Sequence, residues 1–279
     1  MKQYRSILVA TDFSELATFA VRQAALLAEH HGARLTLLHV VDAAGCKALQ
    51  QWFSPSIDLE LKEAQARSTL HGFAAEIAGR YGVPARFKVV VGEAFDEILR
   101  ASEEAELLVF GQRGRTSTAH RVTGSTADRL LRLCRRAMLV VKQPVEGVYR
   151  DILVPVDLTA SSRACLQSAA GLVRTANIHV FHAPGSHEDV AGSEPQIVRP
   201  AWECALTHAD CVGADLIVVG KQGESVMAEF LLGSSTRRLL AMAKCDLLVM
   251  PRAALEHAPA KGVADPLASR ARAESTPSL

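Results

Sequence analysis

The chain carries one glycine spacing twice, and each copy follows a short apolar run. The first is Gly111-x2-Gly114-x9-Gly124-Ser125-Thr126, entered from Leu107-Leu108-Val109-Phe110. The second is Gly220-x2-Gly223-x9-Gly233-Ser234-Ser235, entered from Leu216-Ile217-Val218-Val219. A second repeated pattern opens each copy. Ile7-Leu8-Val9-Ala10-Thr11-Asp12-Phe13-Ser14 matches Ile152-Leu153-Val154-Pro155-Val156-Asp157-Leu158-Thr159. Internal repetition on this scale marks a duplicated domain. The openings are offset by 145 residues (12 to 157) and the glycine spacings by 109 (111 to 220). The second copy is therefore 36 residues shorter between its first strand and its glycine loop.

Within copy one, apolar runs alternate with helical patterns. Ile7–Ala10 is continuously apolar, as a strand covered on both faces requires. Ser14 caps a helix that stops at Gly32. Strands follow at Leu35–Val41, Phe87–Val91, Leu107–Phe110 and Met138–Lys142. Between them lie helices at about 58–80, 93–104 and 125–136. In the longest helix, Ala66, Leu70, Phe73 and Ile77 recur at helical spacing, and Gly82 and Pro84 close it.

This order predicts an α/β chain of two tandem doubly wound, Rossmann-like parallel-sheet domains, the second shortened. The expected division is residues 1–146, 147–252 and a disordered tail at 253–279. The 36 residues missing from copy two match the size of the long helix and the loop before it, leaving Gln196–Val198 as a stunted third strand.

Glycines at a strand end, followed by a hydroxyl residue opening a helix, suit phosphate. Glycine lets the backbone approach closely. A helix N-terminus offers free N–H groups and a positive field. In an open α/β sheet the ligand crevice lies beyond the carboxyl ends of the strands. Asp12 and Asp157 end the first strands, so each borders the crevice of its own glycine loop. The competing reading is that the glycines only make a tight strand-to-helix connection. Neither Gly-x4-Gly-Lys-[Ser/Thr] nor a Gly-x-Gly-x2-Gly at the first strand end is present.

These residues resemble those of the universal stress protein family, whose nucleotide-binding branch carries Gly-x2-Gly-x9-Gly-[Ser/Thr]. The openings through Asp12-Phe13-Ser14 and Leu38-His39-Val40-Val41-Asp42 are also similar. The resemblance spans about residues 3–252. It implies a five-stranded parallel sheet with ATP, with or without Mg²⁺, in the crevice. Asp12 and the backbone of Val40 would border adenine and ribose. Gly111, Gly114, Gly124, Ser125 and Thr126 would cradle the phosphates, with Asp157, Gly220, Gly223, Gly233, Ser234 and Ser235 as counterparts in copy two. It also implies pairing through the last strands, either within the chain as a pseudo-dimer or between chains as a homodimer. Copy two departs from the pattern at Glu224, where copy one has Arg115, and at Ala183-Pro184 in place of Val40-Val41. Lys221 is a candidate to offset the Glu224 charge.

Composition excludes other classes. Lys and Arg total 31 against 30 Asp and Glu, so no global charge draws the chain to nucleic acid or an anionic membrane. Six cysteines without a CxxC pair fit a reducing, cytoplasmic setting. No apolar run approaches the ~20 residues a bilayer span requires.

Cys204, His208 and Cys211 share one face of a predicted helix. They are candidates either for a metal or for a surface packed on another element. Arg132, Arg135 and Arg136 are read as cations at a helix C-terminus. No catalytic triad can be assigned. The leading expectation is an ATP-binding stress sensor or regulator with an unidentified protein partner. A nucleotide-free interaction module and a slow ATPase or autophosphorylating protein stand as alternatives.

Overall fold

The fold was analysed in a computed structural model. It describes residues 4–42, 55–112, 125–144, 146–156, 160–182, 200–221 and 234–251. The strands are β1 (Ser6–Ala10), β2 (Arg34–Asp42), β3 (Ala85–Gly92), β4 (Leu107–Gly111), β5 (Ala137–Val141), β6 (Asp151–Val156), β7 (Asn177–His182), β8 (Leu216–Gly220) and β9 (Asp246–Met250). The helices are α1 (Glu15–His31), α2 (Pro55–Tyr81), α3 (Ala94–Ser102), α4 (Ser125–Leu133), α5 (Ala160–Leu172), α6 (Ala201–Val212) and α7 (Ser234–Met242).

All nine strands form one sheet in the order β3-β2-β1-β4-β5-β9-β8-β6-β7. Pairing is parallel within each half. Among the described residues the single antiparallel contact joins β5 to β9, with Met138 opposite Val249, Leu139 opposite Leu248 and Val140 opposite Leu247. This is the last-strand pairing within one chain that the resemblance implies.

The alternation of side chains along each strand builds two cores. Ile7, Val9, Leu35, Leu37, Leu107 and Val109 face one side, packed with residues of α1, α2 and α5. Leu8, Ala10, Leu108, Phe110, Met138 and Val140 face the other, packed with residues of α3, α4, α6 and α7. Such two-sided cover explains why the central strands are apolar without a polar face.

Helix ends follow their local chemistry. The Ser14 hydroxyl accepts from the Ala17 N–H at 3.3 Å. Gly32 and Gly213 stop α1 and α6 in the left-handed region, at φ of 58° and 64°. Four strands of the second half are described, against five in the first. The expected strand at Gln196–Val198 lies outside the described residues. A helix equivalent to α2 is lacking among the described residues, and β7 shows the effect. By register Val180 occupies the place of Leu37. Leu37 is fully buried in the core that takes in Leu70 and Ile77 of α2, whereas Val180 is 53% exposed.

A strap of chain joins β5 to β6 and is tied down at both ends by Asp246. One carboxylate oxygen accepts from the main-chain N–H groups of Lys142 (2.8 Å) and Gln143 (3.3 Å). The other accepts from the Tyr149 hydroxyl at 2.7 Å. Burial pushes the Asp246 carboxyl up to about 6, against the pull of these donors.

Candidate functional site

In the first half the strand order reverses between β1 and β4, which have neighbours on opposite sides. Ala10 pairs with Leu38 of β2 and with Phe110 of β4. Asp12, Val40 and Gly111 therefore gather at one rim, on the carboxyl-terminal side of three adjacent strands. The helix α4 runs between parallel strands β4 and β5, so Ser125 and Thr126 open it at this same rim. Ser125 is exposed and Thr126 half-buried.

The turn after β1 is tightly specified. The Thr11 N–H donates to the Leu38 carbonyl (2.9 Å), and the Phe13 N–H to the Thr11 hydroxyl (3.1 Å). The Ser14 N–H donates to the Asp12 carboxylate at 3.1 Å, an Asx turn leading into the helix cap. Phe13 sits at φ 62°, a left-handed conformation that is costly for a bulky residue. Its ring stacks on the His39 imidazole, with centroids 4.2 Å apart and planes at 25°. His39 Nδ1 in turn donates to the Thr11 carbonyl at 2.8 Å. The motif around Asp12 does not by itself announce this stack. The signal was the pairing register, which sets Thr11 level with His39.

Gly111 has a packing reason of its own. A Cβ at this position would lie 2.9 Å from the Leu16 carbonyl carbon and 3.0 Å from the Ala17 nitrogen. Both are backbone atoms in the first turn of α1. Glycine thus lets the end of β4 approach the helix that the β1 turn launches.

The second half repeats the arrangement, with the reversal between β6 and β8 and with Gly220 and Ser235 at the matching rim. Ser234 opens α7. Gly114, Gly124, Asp157, Gly223, Gly233, Glu224 and Ala183-Pro184 lie outside the described residues.

Lys221 reaches across to the other half. Its ammonium donates to the Arg132 carbonyl and, at 3.5 Å, to the Cys134 carbonyl. Those atoms belong to the C-terminal end of α4, in the opposite half.

The remaining candidates resolve simply. The His208 ring stacks on Phe181, with centroids 5.2 Å apart. Among the described residues no group of three His, Cys, Asp or Glu side chains could hold a metal. Of the three, His208 packs on the neighbouring strand, Cys204 is half-buried and Cys211 is exposed. Arg132 pairs with Asp128 at 2.9 Å, and the Arg136 guanidinium donates to the Glu103 carbonyl at 2.5 Å. Both act locally around the end of α4. No helix among the described residues is long and apolar enough to cross a membrane.

The model of the universal stress protein family matches residues 3–142 and 194–251. A universal stress protein of Methanocaldococcus jannaschii is 27% identical over 143 residues, covering 50% of this chain and 84% of its own length. One from Synechocystis sp. is 22% identical over 291 aligned positions, covering 88% of this chain and 99% of its own. The crystal structure of a universal stress protein from Archaeoglobus fulgidus has the same fold, with a TM-score of 0.71 at 20% identity, over 90% of this chain and 99% of the other. The family match takes in more than half of the residues, on both sides of the antiparallel junction, and the chain belongs to the universal stress protein family.

Proposed function

We propose that the chain binds ATP at the rim of its first half and acts as a stress-linked regulator rather than a turnover enzyme. The observation that carries this reading is the gathering of Asp12, Val40 and Gly111 at the strand-order reversal, with the opening of α4 beside them. Ser125 and Thr126 present hydroxyls and helix-terminal N–H groups, the donor set that phosphate oxygens require. Asp12 and the Val40 backbone border the adenosine, and Gly114 and Gly124 complete the phosphate cradle. Gly220, Gly223, Gly233, Ser234, Ser235 and Asp157 form the corresponding site in the second half. The working units are residues 1–146 and 147–252, followed by the tail.

In this reading Asp12 binds rather than catalyses, since its carboxylate already accepts from the Ser14 N–H in the turn. Mg²⁺ adds charge neutralisation to the bound triphosphate. Occupancy alters the surface offered to a regulatory protein in the cytoplasm. Isothermal titration with ATP tests the binding. Heat of binding that Asp12→Ala removes supports it. No heat and no thermal shift at millimolar ATP, with folded protein, overturns it. Fast metal-dependent hydrolysis abolished by Asp12→Ala overturns the non-enzymatic part.

A second reading is favoured by one observation. Gly111 is required by backbone packing against Leu16 and Ala17 without any ligand. The protein would then be a nucleotide-free interaction module, and the same titration separates the two.

A further inference from the structure

We infer that Lys221, in the second half, is a positioning residue for the phosphate-facing helix of the first half. The inference rests on the ATP reading above and adds a role for the shortened repeat. Lys221 directly follows Gly220 at the start of the second glycine loop. Its side chain is drawn into the junction, leaving the residue 5% exposed. The ammonium meets the carbonyls of Arg132 and Cys134 at the end of α4. The last carbonyls of a helix have no partner within it. A cation there also complements the negative end of the helix dipole.

The grip is reciprocal. Gln112, the counterpart of Lys221 in the first half, donates from Nε2 to the Leu240 carbonyl near the end of α7 at 2.9 Å. The Lys142 ammonium donates to the Ala243 carbonyl, just beyond α7. Each helix that opens after a glycine loop is thus held at its far end by an ammonium from the other half. The first half steadies α4 along its side, where Arg129 pairs with Glu93 at 2.8 Å and lies 3.9 Å over the Phe95 ring.

Because α4 has nine residues, it spans only about 13 Å. A short rigid rod transmits a shift at its C-terminus to Ser125 and Thr126 at its N-terminus. Phosphate contacts depend on placement within about 0.5 Å. The second half therefore serves the first site whether or not it holds nucleotide itself.

The test uses the full chain and ATP titration, scoring the binding that Asp12→Ala removes. Lys221→Met is expected to weaken that binding about fivefold or more. Lys221→Arg should restore most of it. Lys142→Met removes the matching ammonium from α7 and should change first-half affinity less than about twofold, even where it lowers the melting temperature equally. Wild-type affinity in Lys221→Met, or equal weakening by Lys142→Met, overturns the inference. Should Lys221→Met fail to fold, Lys221→Gln keeps a donor, removes the charge and is scored in the same way. If the wild-type chain takes up no ATP, the nucleotide reading has failed, and hydrogen exchange judges the grip separately. Amides 127–134 must then exchange faster in Lys221→Met than in wild type or Lys142→Met, and equal exchange overturns it.

Discussion

Leu139 lies opposite Leu248 at the centre of the antiparallel junction, and the two leucines occupy the same position in the repeat. A two-fold axis relating the halves therefore passes between them. Their neighbours obey the same symmetry, with Met138 opposite Val249 and Val140 opposite Leu247. Departures from that symmetry at the junction are where the halves have become different molecules.

Asp246 is one departure, since its counterpart in the first half is the buried Ala137. Its carboxyl rises from 3.8 to about 6 on folding, chiefly through burial. A group raised in the folded state favours the fold while protonated. Its contribution is full below pH 3.8 and is lost as pH rises through about 6. Asp246→Asn removes this titration and leaves the nearby half-buried Asp215 in place. Urea unfolding of both proteins from pH 4 to 8 should show wild type losing up to about 3 kcal/mol relative to the variant. Parallel stability curves would refute the assignment.

Tyr4 and Tyr149 are counterparts with opposite circumstances. Both are 5% exposed. The Tyr149 hydroxyl donates to Asp246, while the buried Tyr4 hydroxyl has no hydrogen-bond partner among the described residues. Tyr149→Phe should cost about 1–3 kcal/mol by taking a donor from a buried carboxylate. Tyr4→Phe should be neutral or slightly stabilising. Paired denaturant melts decide the matter, and equal losses would contradict it.

Gly111→Ala should destabilise the chain with or without nucleotide. The added methyl meets the backbone of Leu16 and Ala17 rather than a side chain that can swing away. Overpacking of this kind costs about 1–3 kcal/mol. Thermal melts in the absence of ATP measure it, and an unchanged midpoint would show that the strand end has room.

At Phe13 the conformational and stacking effects can be separated. Ala and Gly both abolish the stack on His39, but only glycine accepts φ 62° freely. Phe13→Ala should therefore be less stable than Phe13→Gly by about 1 kcal/mol. The reverse order in urea unfolding would mean that the turn relaxes once the ring is gone.

Much of this fold was legible because its signals are local. Ser14, Gly32, Gly82 and Gly213 mark helix ends through their own backbone chemistry. Apolar strands announced a two-sided sheet. What escaped were contacts between distant positions. Lys221 lies 89 residues from Arg132, and no periodicity links them. The reasonable local inference, a cation offsetting Glu224, does not place that ammonium at the end of α4. Phe13 and His39 were within view as motif residues, yet their stacking depends on strand register. The glycine spacing pointed to the rim, but its first member, Gly111, has a steric role that spacing does not reveal. The antiparallel junction was legible only through family resemblance, because nothing in an apolar strand states which neighbour it will take.

The junction has a bearing on how such a chain can be divided. Both β5 and β9 are buried along their full length. A first half expressed alone would bare β5 as an apolar edge with unpaired backbone groups, a template for another strand. It would satisfy that edge by recruiting a second copy of itself across the same two-fold axis. Covalent fusion has turned what would be a concentration-dependent association into an intramolecular one. The freedom gained is that the partner no longer has to be identical.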